Sequence, residues 1–172
     1  MPKSSASDVP KWLSKATQLK EVVITKLAAM PVTERSVTSK PGEWSAANIV
    51  EHLILFEEVV PGLWRESLLA ASSPSVTTRS ALLSRVVSFG VSKTGLRVPT
   101  VPELEPKGAL DLDALERRWL KVRSALVVSL PEDPNVSWVL HPVLGPLSSA
   151  QMGTILAAHL VHHIRHWPKP GK

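Results

Sequence analysis

Apolar residues recur at three- and four-residue spacing along most of the chain and mark four long helices. Trp12, Ala16, Leu19, Val23 and Leu27 form the first stripe, on a helix expected from about Asp8 to Met30 and stopped by Pro31. A turn-rich stretch, "PVTERSVTSKPGEW", follows. Ser45 then has the character of an N-cap, with Trp44 before it and Ile49 four positions after it as a hydrophobic staple. The helix it opens should run to about Ala71, with a kink or local break at Pro61. Asp113 followed by Glu116 is a capping-box pattern for a third long helix that ends before Pro131. Ser148 with Gln151 repeats the pattern at the head of the last helix, which should reach about Trp167 before Pro168 ends it.

The segments between these helices are less regular. "RSALLSRVVSFGVSKTGL" predicts one shorter helix, and the prolines of "RVPTVPELEPKGAL" predict extended loop. "PEDPNVSWVLHPVLGPL" reads as a structured loop, and the chain shows neither an alternating strand pattern nor an internal repeat. The expected fold class is therefore all-α, a four-helix bundle with an extra short helix in a long crossover. Short loops force antiparallel neighbours. The long link between the second and third major helices allows those two to run parallel, so an up-down-down-up order is open to this chain.

Composition narrows the function more than the fold. The 172 residues suit a single domain, 1–172, with residues 1–7 as a loose tail. The absence of cysteine excludes disulfides, zinc–thiolate sites, iron–sulfur clusters and a protein thiol nucleophile. No run approaches a membrane span, and "MPKSSASDVPKWLSK" lacks the apolar core of a signal peptide, so a cytoplasmic protein is expected. The net charge of +5 is scattered with few aromatics between the basic residues, which argues against a nucleic-acid partner.

Four of the six histidines lie in "AAHLVHHIRHW", residues 157–167. At about 100° per residue, His159 and His163 fall in the apolar stripe with Met152 and Leu156, while His162 and His166 lie towards its edge. Residues four apart on a helix can meet one metal ion, although His-x-x-x-His alone is a weak signal. On the second helix His52 shares a face with Ile49, Phe56, Val59 and Leu63, whereas Glu51, Glu57 and Glu58 lie on other faces. A single mid-stripe histidine is more often a core residue bonded to a carbonyl. Three of them lack enough acceptors to satisfy one another, and a divalent cation would satisfy all three. Leu160 follows His159, so there is no His-Glu-x-x-His base, and no Glu-x-x-His occurs to suggest a carboxylate-bridged di-iron site. Three neutral nitrogens without a carboxylate leave coordination positions open, as catalytic sites do. His141, before Pro142, is either a loop-packing residue or a group at the pocket rim. Trp12, Trp44 and Trp138 read as core or staple residues.

"GEWSAANIVEHLILFEE" and "HPVLGPLSSAQMGTILAAHLVHHIRH" resemble the DinB-like superfamily of small four-helix-bundle proteins, of its DinB_2-type branch, over most of the chain. The resemblance implies an up-down-down-up bundle, a homodimer, and a metal triad at His52, His159 and His163 holding zinc, nickel or iron. It also implies thiol-dependent S-transferase or isomerase chemistry with low-molecular-weight thiols, or metal-dependent hydrolysis, on a small-molecule substrate. The family usually has glutamine three positions after the last ligand; His166 stands there instead, as an outer group or a competing ligand. The leading expectation is a metal-dependent transferase or hydrolase in which His141, His162 or His166 moves protons. The alternatives are a non-catalytic metal-binding stress or accessory protein, and an interaction module with satisfied core histidines.

Overall fold

Three of the four described α-helices begin where a serine or aspartate side chain accepts a backbone N–H that the first turn leaves unpaired. The computed structural model describes residues 10–69, 102–108, 111–129, 133, 135, 137–141 and 144–168. Helix α1 (Lys11–Ala28) starts after Pro10, later than the expected Asp8. Proline has no N–H to leave unpaired at that position. At its other end the Arg35 guanidinium donates to the Met30 and Ala28 carbonyls, at 3.1 and 3.0 Å. Helix α2 (Ala46–Leu69) opens at Ser45 as expected. The Ser45 hydroxyl accepts from the Asn48 N–H at 3.2 Å, and the Asn48 side chain accepts from the Ser45 N–H at 3.3 Å. The helix runs on through Pro61, so no local break occurs there.

Helix α3 (Leu112–Val128) corrects the expected start. Its cap is Asp111, which accepts from the Ala114 N–H at 2.7 Å, and Asp113 lies inside the first turn. Helix α4 (Ser149–Arg165) carries the expected capping box between Ser148 and Gln151. A second correction falls just before it. The segment read as structured loop holds an antiparallel hairpin, β1 (Ser137–His141) with β2 (Gly145–Ser148), irregular between Ser137 and Val139. Gly145, at φ 74°, adopts the left-handed conformation at the start of β2. The described chain is thus mostly helical, with four helices and little strand. The short helix expected between Ala71 and Pro102, and the tail 1–7, lie outside the described residues.

Packing joins the helices in two pairs, α1 with α4 and α2 with α3, and β1 lies along α2. Leu13, Leu27, Ile54, Trp119, Leu126, Met152 and Leu160 are fully buried between them. Trp12 seats against Gly153 of α4, where an added Cβ would stand 2.4 Å from the indole and 2.7 Å from the Trp12 carbonyl oxygen. The acidic residues of α2 tie it to α3. Buried Glu57 receives two bonds from Arg123, at 2.8 and 2.5 Å, and Arg123 also donates to Thr17 of α1 at 2.9 Å. Arg118 makes a two-bond pair with exposed Glu58. Among the described residues no helix is long and apolar enough to cross a membrane.

Candidate metal centre

His52 from mid-α2 and His159 and His163 from the last two turns of α4 converge on one point. One nitrogen from each lies within 4.8 Å of the others. His159 Nε2 stands 3.1 Å from His52 Nε2 and 3.1 Å from His163 Nε2. Imidazoles on one ion at about 2.0–2.1 Å keep adjacent nitrogens roughly 3.0–3.4 Å apart, so the two 3.1 Å separations are those of neighbouring ligands on one cation.

The proton count supports the same fit. His52 Nδ1 donates to the Leu104 carbonyl at 2.9 Å, so in a neutral ring His52 Nε2 carries a lone pair. Both short contacts share His159 Nε2, which holds at most one proton. With that proton in place, it points at one neighbour and has no lone pair to accept from the other, which leaves the second contact without a hydrogen bond. Without it, His159 and His52 meet lone pair to lone pair. Hydrogen bonding among the three rings therefore does not satisfy this arrangement, and a cation between the nitrogens does. Electrostatics keep the rings neutral, as ligands must be. Burial pushes His52 below its ordinary pKa, with the bond to Leu104 opposing and the charge of His162 assisting. His159 is pushed well down, first by burial and then by His163, His52 and His162. His163 is pushed down to about 3, again first by burial and then by the charges of His52, His162 and His166.

Two aromatic rings wall the site. Trp44 lies 4.6 Å from the His52 ring, centroid to centroid, and Phe56 lies 4.4 Å from His159. Sequence reasoning took Trp44 as a staple residue and did not place Phe56 at the site. Its position four residues after His52 on the same face was the available signal. The Leu104 carbonyl was missed as well, because a backbone acceptor leaves no residue-type signature.

The other histidines separate. Half-buried His162 stacks edge-on to His163 at 5.0 Å. His166 is exposed, just past the helix, and its Nδ1 donates to the His162 carbonyl at 2.8 Å. His141 ends β1 with its backbone opposite Gly145. Among the described residues no further histidine, aspartate or glutamate joins the triad.

No curated protein and no solved structure matches the chain. A family model described as "Protein of unknown function (DUF1569)" matches residues 15–169, a span that includes all three converging histidines. The chain belongs to the family described as "Protein of unknown function (DUF1569)".

Proposed function

We propose that this chain is a DinB-like bundle of up-down-down-up order that binds one divalent ion through His52, His159 and His163 and acts as a metal-dependent enzyme of S-transferase or hydrolase type. The observation that carries the reading is the pair of 3.1 Å contacts sharing His159 Nε2, an arrangement that protons alone leave unsatisfied. A bound divalent ion would lower the pKa of water or of an incoming thiol and so supply a nucleophile near neutral pH.

The chain's own groups divide the remaining work. His52, His159 and His163 hold the ion by Nε2, and their lowered proton affinity keeps those lone pairs available at neutral pH. Trp44 and Phe56 exclude water from two sides of the rings and offer apolar contact to a substrate. His162 is better placed than His166 to move protons, because its ring touches His163 and is partly open to solvent. The resemblance to DinB-like proteins adds a homodimer, a low-molecular-weight thiol as co-substrate, and zinc, nickel or iron as the ion.

The test is a turnover screen of protein loaded separately with zinc, nickel and iron(II). Small thiols with electrophilic acceptors form one arm, and esters and amides form the other. Turnover in one arm, with a pH–rate profile rising near neutrality, is expected. His162→Ala should lower kcat by about 100–10,000-fold and leave most of the ion content intact. Stoichiometric ion binding without turnover in either arm would transfer the site to the accessory-protein reading.

A further inference from the structure

The segment Pro102–Gly108, "PELEPKG", crosses α2 beside the triad and is fastened to two consecutive residues of that helix. His52 Nδ1 donates to the Leu104 carbonyl at 2.9 Å, and Gly108 N–H donates to a carboxylate oxygen of Glu51 at 2.8 Å. Glu51 is buried, 4% exposed, and its other oxygen faces Arg118 Nη1 at 3.6 Å. Between the two fastenings the strap is stiff. A short 3-10 helix (Pro102–Leu104) closes with the Glu105 N–H on the Pro102 carbonyl at 3.2 Å, and Pro106 restricts both itself and Glu105. Gly108 sits at φ +79°, a conformation that resists any side chain, while the nearest atom to an added Cβ is an ordinary 3.7 Å away. Backbone conformation, not space, therefore fixes glycine at that end.

We infer that Glu51 is a positioning residue for the metal site. Its carboxylate anchors the strap, the strap fixes the Leu104 carbonyl, and that carbonyl selects the His52 tautomer whose Nε2 lone pair faces His159. The inference rests on the metal-binding reading above, because the value of a fixed tautomer lies in presenting that lone pair to an ion. Partners of this kind, one bond out from the ligand, typically change metal affinity by about 10–100-fold when removed.

The experiment measures zinc affinity by chelator competition together with the His52 tautomer in metal-free protein, read from imidazole 15N NMR at about pH 7.5. Glu51→Ala should weaken zinc binding by about 10–100-fold and convert His52 from the single Nδ1–H form to a mixture. Gly108→Ala, which acts on the strap without altering α2, should do the same, and combining the two should add little because they share one route. Glu51→Gln keeps an acceptor for the Gly108 N–H and should stay within about threefold of wild type. Glu58→Ala removes the two-bond partner of Arg118 but leaves both strap fastenings in place, and should change neither readout. Full zinc affinity with an unchanged tautomer in Glu51→Ala overturns the inference. So does lost affinity with the tautomer intact, or an equal loss in Glu58→Ala. If wild type binds zinc no better than His159→Ala, the metal reading fails instead. The tautomer then decides the strap's role alone: a mixture in Glu51→Ala upholds it, and the unchanged single form overturns it.

Discussion

His159 occupies the most demanding position in the chain, since its Nε2 meets two other ring nitrogens at 3.1 Å. Protonating any of the three rings places a positive charge in a part-buried cluster, and this gives the metal-free protein a defined pH dependence. The folded-state pKa values lie below the ordinary value near 6.5, so the unfolded chain binds protons first as pH falls. Stability should be full above about pH 6.5 and decline below it, a decline that for His163 continues down to about 3. Urea melts of metal-free protein between about pH 7.5 and 5, where most carboxylates stay charged, should show the loss, and His163→Ala should flatten it. A midpoint constant over that window contradicts the burial argument. The inward faces of these residues were legible in the sequence because helical periodicity is local geometry, and His52, His159 and His163 do meet. His166 was less legible. The angle assigned to it assumed helix as far as Trp167, whereas α4 ends at Arg165 and the His166 ring turns back onto a carbonyl.

At the scale of elements, helix contacts set the strongest stability predictions. Gly153→Ala should gain about 1 kcal/mol of helix propensity and still destabilise the protein. The added Cβ would meet the Trp12 carbonyl oxygen at 2.7 Å, and forcing α1 from α4 costs about 1–3 kcal/mol. A thermal melt checks the sign. Arg123→Leu leaves the buried Glu57 carboxyl without its partner and should cost about 3–5 kcal/mol, with much of it recovered by Glu57→Leu in the same chain. Denaturant melts of the three variants test this. These two contacts were invisible in the sequence, which placed the α2 glutamates on other faces without naming the arginines they meet. The start of α3 shows how packing overrides a local motif. Asp113 and Glu116 spell a capping box, yet beginning there would drop Leu112 from the stripe Leu112, Leu115, Trp119, Val122 and Leu126, so Asp111 caps instead. The hairpin escaped because β1 and β2 are only five and four residues long, and Pro146 interrupts the second.

Across the whole molecule the triad joins the two helix pairs, since His52 belongs to the α2–α3 pair and His159 and His163 to the α1–α4 pair. An ion held there would stabilise the fold as well as serve chemistry. Free ion at about 100 times its Kd adds roughly 2.7 kcal/mol. For a domain of this size that is roughly 5–10 °C in Tm, so a chelator should lower the melting temperature by that amount. His159→Ala should already melt at the lower temperature and ignore the chelator. The four long helices and the triad were legible because both rest on periodicity, whereas the pairing of helices rests on contacts between distant residues. The central claim is that three histidines on two helices hold one ion, and elemental analysis of protein purified without an affinity tag tests it most directly. About one divalent ion per chain is predicted for wild type, most of it retained in His162→Ala and almost none in His52→Ala, His159→Ala or His163→Ala. Folded wild-type protein that carries no ion and takes up none when offered zinc, nickel or iron(II) would contradict the account.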